Sequence, residues 1–247
     1  MTYRKSASHV PDGFFATEAA GLRWLAETRT VPVVEVRAVH AHALDLERLT
    51  EVPPTPQAAR TFGAGLAALH RAPCPPHGTL PPGVEQYFFG PLSEPLPIDT
   101  AISESMGEAS AVRLASLARL LDPGIPALGA VIDRLAAGEF DDDAPPARLH
   151  GDLWAGNLLF TGVGGTLIDP AAIAGHPLVD LAMLSLFGAP HLQHILAAWE
   201  DAYGTAELGA DWRERLGLHQ LFGLTAHAVL FGGGYRESTA RLAERYA

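Results

Sequence analysis

The 247-residue chain is nearly free of cysteine and of lysine. Cys74 stands alone, so an intrachain disulfide and a cysteine-based metal cluster are both excluded. Lys5 is the single lysine among 17 basic residues; the others are arginines. A chain that otherwise carries positive charge on arginine keeps a lysine where a compact ammonium is needed. Near a terminus, an ordinary surface residue is the competing explanation. Basic charge is also scarce in total: 17 Lys+Arg face 28 Asp+Glu, a formal net charge of −11. That balance repels phosphate backbones and argues against nucleic acid as the main partner. No apolar run approaches the ~18 uncharged residues of a membrane helix. The start, Met-Thr-Tyr-Arg-Lys-Ser, has no apolar core behind its basic residues, so no secretory signal is expected. The expectation is a cytoplasmic protein that engages no membrane.

With 48% hydrophobic and 18% charged residues, the chain has an ordinary globular composition, enough for one large domain or two small lobes. Apolar spacing predicts a helix over Phe15–Thr28, then strands over Val31–Val39 and Ala43–Leu49. Val52-Pro53-Pro54-Thr55-Pro56 reads as an interlobe connection, and Thr55-Pro56 as an N-cap with proline at the first helical position. The helix it starts carries Phe62, Leu66 and Leu69 and stops before Pro73. Pro73 to Pro97 reads as a long ordered loop. Helices are predicted at Gly107–Leu121, Ile125–Gly138, Leu178–Phe187, His191–Tyr203, Trp212–Phe231 and Tyr235–Tyr246. A short strand Ala147–Leu149 and a hairpin of Leu158–Phe160 with Thr166–Ile168 sit between them. The plan is α+β with two lobes: residues 1–52 a small strand-bearing part, residues 53–247 a large helical part.

The chemistry concentrates in Arg148-Leu149-His150-Gly151-Asp152-Leu153-Trp154-Ala155-Gly156-Asn157, followed by Ile168-Asp169-Pro170 on the hairpin. Singly, an Asp or Asn after a strand is routine turn chemistry. Together they offer what phosphoryl transfer needs: one carboxylate to take the proton of an attacking hydroxyl, and an amide oxygen and a second carboxylate for a metal on the nucleotide phosphates. The His-x-Asp-x4-Asn spacing matches a kinase catalytic loop. His191 and His194 lack a third ligand and read as one face of an exposed helix.

This loop resembles that of the fructosamine kinase (ketosamine kinase) family, relatives of the aminoglycoside phosphotransferases with a protein-kinase-like fold. Leu153-Trp154 and the glycine before Asn157 carry the finer resemblance. Leu66-Ala67-Ala68-Leu69-His70, Phe89-Gly90-Pro91-Leu92, Gly175-His176 with Asp180-Leu181-Ala182-Met183, and Leu230-Phe231-Gly232-Gly233-Gly234-Tyr235 support it. The resemblance implies ATP and Mg²⁺ as cofactors, Asp152 as catalytic base, and Asn157 and Asp169 as metal ligands. It places Lys5 at the phosphates, paired with Glu18 of the next helix, and Glu47, Arg48 and Leu49 at the adenine. Trp154 and His176 would line the substrate, while His150 and Asp180 would support the loop. Asp180 would do so by accepting backbone amides.

The implied activity is phosphorylation of a sugar hydroxyl of a ketosamine, serving deglycation, by a monomer or weak dimer. Alternatives are a phosphotransferase for another hydroxylated amine, such as an aminoglycoside, and a weakly active or inactive nucleotide-binding pseudokinase. The last arises because only Met1–Arg4 precede Lys5, too few for a phosphate-covering glycine loop: either the lobe is abbreviated, with a raw sheet edge, or the true start lies upstream of Met1. Pro177-Leu178 and the segment Asp99–Ala111 also depart from the family pattern.

Overall fold

The computed structural model describes residues Met1–Ala247. The small lobe is built from β1 (Thr2–Ser6), α1 (Phe14–Ala26), β2 (Val36–His40) and β3 (Ala43–Glu47). Its antiparallel sheet has the order β1-β3-β2, with Lys5 paired to Leu44 and Thr2 to Glu47. The central β3 buries Ala43, Leu44 and Leu46, whereas β1 lies at the edge and is mostly exposed. Phe14, Phe15, Ala19 and Leu22 of α1 pack on Val34, Leu44 and Leu46 of the sheet side. Trp24 and Leu25 face away from that cluster, into the main core. The helix therefore fastens the small lobe to the large one through two apolar faces.

The strand expected over Val31–Val39 shortens to Val36–His40, because Pro32 to Val34 pair with Leu167 rather than with β3. Val33 instead bridges in parallel to Leu167, with Val34 N–H donating to the Leu167 carbonyl at 3.0 Å. Pro73–Pro97 contains more order than a loop: β4 (Tyr87–Phe89) pairs antiparallel with β5 (Leu96–Ile98). Three consecutive aromatics, all buried, outweigh the surrounding proline and glycine.

The large lobe begins with α2 (Pro56–Arg71), whose N-cap Thr55 accepts from Ala58 N–H at 3.1 Å. It continues through α3 (Met106–Ala118), α4 (Pro126–Ala136), β6 (Ala147–Leu149), β7 (Leu158–Thr161), β8 (Gly164–Leu167) and β9 (Ile173–Gly175). Helices α5 (Leu178–Phe187), α6 (Leu192–Tyr203), α7 (Trp212–Phe231) and α8 (Gly234–Ala243) complete it. β7 and β8 form the expected hairpin, while β6 pairs with β9, a three-residue strand too short to signal itself in sequence. The largest core gathers Phe62, Leu66 and Leu69 of α2 with Leu181, Ile195, Trp199 and Trp212. The α+β two-lobe plan read from the sequence is the one observed. No helix is long and apolar enough to cross a membrane.

Helices α2 and α6 touch backbone to backbone at Gly63, where a Cβ would overlap the Ile195 carbonyl. Gly63→Ala should therefore destabilise by about 2 kcal/mol despite the better helix propensity of alanine. A thermal melt should show Tm lower by about 4–8 °C; an unchanged Tm would mean that the two helices separate freely.

Candidate active site

β6 delivers the chain into a loop, His150–Asn157, that ends in a 3-10 turn and re-enters the hairpin at β7. Gly151 has φ +81°, and a Cβ there would overlap the Ala171 carbonyl, so the loop admits only glycine. Asp180, on α5 and fully buried, accepts the His150 and Gly151 backbone N–H groups at 2.9 Å each. His70 Nε2 donates to the same carboxylate at 3.2 Å. The tautomer follows from Trp199, whose Nε1–H donates to His70 Nδ1 at 3.1 Å and leaves the proton on Nε2. Burial alone would raise the Asp180 pKa, yet these donors hold it below the usual carboxylate value. His150 is likewise buried, donates from Nε2 to the Ile168 carbonyl at 2.7 Å, and is kept neutral by burial.

The loop and the hairpin bring Asp152, Asn157 and Asp169 together. Asn157 Nδ2 donates to the Asp152 carbonyl at 2.8 Å, to Asp152 Oδ2 at 3.2 Å and to the Asp169 carbonyl at 3.4 Å. That commits the amide nitrogen inward and leaves Oδ1 as the acceptor end. Asp169 adopts φ 51°, an uncommon left-handed conformation outside glycine. Lys5 Nζ lies 2.8 Å from Glu18 Oε2 and 3.2 Å from Asp169 Oδ1. Burial raises the Asp152 pKa to about 7; the Asn157 hydrogen bond opposes that, and the Asp169 charge adds to it. Glu18 is raised to about 6, again by burial, with Lys5 pulling the other way.

These groups line one cleft of about 280 Å³. The rest of its wall is largely apolar and aromatic, with Phe88, Phe89, Trp154, His227, Leu230 and Phe231 in the lining. Trp154 is 42% exposed and Phe231 60%, unusual for rings of that size. His176, expected to line the substrate, lies away from the cleft. It is 1% exposed, sits between Asp142 at 3.2 Å and the stacked ring of His219, and does not reach the cleft. Its position after β9 turns it into the helical core instead. Glu47, Arg48 and Leu49 lie at the end of β3, outside the lining of this cleft. Leu49 packs on the same apolar cluster as Ile168, the neighbour of Asp169.

A sequence model of the family described as fructosamine kinase matches residues 116–247. A Thermus thermophilus protein named “Probable ketoamine kinase” is 35% identical over 245 residues, covering 94% of this chain and 82% of its own. The chain belongs to the fructosamine kinase family. It is a phosphotransferase with an alcohol group as acceptor. Among solved structures, a Thermobifida fusca protein whose name places it with the fructosamine-3-kinases superposes with a TM-score of 0.82 at 38% identity, over 99% of this chain and 85% of that one. An aminoglycoside phosphotransferase in ternary complex with ADP and hygromycin B, 15% identical, shares the fold at a TM-score of 0.62, over 100% of this chain and 86% of that one. The expected kinase-like fold is thus the observed one.

Two parts of this fructosamine kinase family member's site escaped the sequence reading. His70 and Trp199 carry the Asp180 brace into the core, and the signal was a histidine on the apolar face of α2. The aromatic wall draws on the buried hairpin β4–β5 and the last turn of α7, segments that are remote from the loop in sequence. Asp180→Asn should cost about 3 kcal/mol, because a buried amide cannot serve two N–H donors and a histidine at once. Urea unfolding should show a lower midpoint; a midpoint equal to wild type would mean that the brace contributes nothing.

Proposed function

We propose that this chain is an ATP- and Mg²⁺-dependent kinase that phosphorylates a sugar hydroxyl of a ketosamine and so initiates deglycation. The observation that carries the reading is the convergence of Asp152, Asn157, Asp169 and Lys5 in one cleft with an aromatic wall. The names of the relatives support the substrate class, and the acidic balance suits an amine-bearing substrate. We assign residues 1–52 and 53–247 to the two lobes that close on the nucleotide, with Glu47, Arg48 and Leu49 at the adenine.

The residues present fit a divalent cation carried on phosphates. No group of three or more His, Cys, Asp or Glu side chains could hold a metal unaided, and Mg²⁺ sites of this type complete themselves with substrate phosphates and water. The Asp169 carboxylate and Asn157 Oδ1 would hold it, and when bound it supplies charge neutralisation on the phosphates. Lys5, fixed between Glu18 and Asp169, contributes a further positive charge. Asp152 orients the acceptor hydroxyl and takes its proton at a carboxylate oxygen. Trp154 offers its exposed face to the apolar side of the sugar.

Activity, stability and pH dependence each test this. With Mg-ATP and a fructosyl amine, ADP release should far exceed that with an aminoglycoside, and Asp152→Asn should reduce it by about 10³-fold. Equal turnover by the variant would remove the base assignment. The same variant should melt no lower than wild type at pH 8. A carboxylate whose folded pKa is raised costs the fold stability as pH climbs from the unfolded value to about 7, the full cost persists at higher pH, and the amide relieves it. For wild type, kcat/KM should rise with pH through about 7 and then level, since it reports the free enzyme's base. A flat profile from pH 5.5 to 8.5 would contradict the assignment.

A further inference from the structure

Arg113, on α3, is 6% exposed and lacks a carboxylate partner. Its one hydrogen bond runs from Nη2 to the Tyr87 hydroxyl at 3.0 Å, and its plane lies over the Phe222 ring at 4.2 Å. Its buried Nε–H has no partner. Nor has the buried Nε2 of His219, 7% exposed and on α7. Both side chains line one small pocket of about 30 Å³, together with Ser110 and the apolar Met106, Leu114, Leu135, Val179 and Leu218. The Ser110 hydroxyl has only a 3.5 Å contact to the Met106 sulfur. No Asp or Glu lines this pocket, so its polar atoms are a guanidinium, an imidazole and a hydroxyl.

A buried guanidinium without an anion is expensive, and unpaired N–H groups add to that cost. The space is about twice what one ordered water requires, so it is large enough for an occupant. Water would satisfy hydrogen bonds but leave the charge uncompensated. We propose that this pocket binds a monatomic inorganic anion of chloride or bromide size, held by Arg113 Nε–H, the Nε2–H tautomer of His219 and the Ser110 hydroxyl. The pocket is separate from the catalytic cleft, and nothing in the phosphotransfer reading requires it. The two are joined by one hydrogen-bond path. Arg113 holds the Tyr87 hydroxyl, which donates to the Ala171 carbonyl at 3.1 Å, the atom against which Gly151 packs. Anion binding therefore steadies the floor under the catalytic loop.

The test is thermal unfolding of the full chain in sodium chloride, bromide and gluconate at matched ionic strength. At halide about ten times above its dissociation constant, wild type should gain about 4 °C over gluconate. Arg113→Met, which keeps the stem volume, and His219→Phe, which keeps the stacked ring, should each abolish the difference. Should a variant fail to fold, anomalous diffraction from bromide-soaked wild-type crystals should show a peak between Arg113 Nε and His219 Nε2. A Tm independent of the anion, a halide effect that persists in both variants, or an ordered water without anomalous signal would each overturn the proposal.

Discussion

The active site depends on one buried carboxylate. Asp180 has no exposure, and an unpaired charge there would cost several kcal/mol. It is tolerated because two backbone N–H groups of the catalytic loop and the His70 imidazole converge on it. The dependence runs both ways. The carboxylate needs the loop in one conformation, and the loop borrows its conformation from α5 rather than from its own turn propensity. His70 and Trp199 extend the brace into the core formed by α2 and α6, so the position of Asp152 is tied to the largest hydrophobic core of the molecule.

The cleft itself concentrates like charge. Asp152, Asp169 and Glu18 share a small volume with a single lysine, and burial pushes both Asp152 and Glu18 above the ordinary carboxylate range. Such an arrangement weakens the fold locally, and it is the kind of strain that functional sites retain. In the proposed reaction, the same crowding makes Asp152 a base poised near neutral pH. It also leaves three carboxylates sharing one lysine, a shortfall of positive charge that a divalent cation would offset.

Much of the fold was legible because helices of ten or more residues carry a strong apolar period. α2, for instance, shows its cap at Thr55 and its buried stripe from Phe62 to Leu69. Short strands were not. β4, β5 and β9 have three residues each and owe their existence to partners far away in sequence. Within the site, Asp152, Asn157, Asp169 and the Lys5–Glu18 pair could be read from spacing and resemblance, since local order in the chain largely dictates them. His176 was misplaced for the opposite reason: whether it faces the cleft or the core depends on Asp142, Arg215 and His219, which no nearby residue announces. The aromatic wall was hidden similarly, since Phe88 and Phe231 are far apart in sequence and line one cleft only in the folded chain.

The central claim is that one cleft assembles a base, a metal-phosphate cradle and a sugar-facing wall for transfer to a hydroxyl. Phosphorus-31 NMR of the chain with Mg-ATP and a fructosyl amine addresses it most directly. A new phosphate-ester resonance growing in step with ADP is the expected result. ADP accompanied only by inorganic phosphate, or an unchanged ATP spectrum, would contradict it.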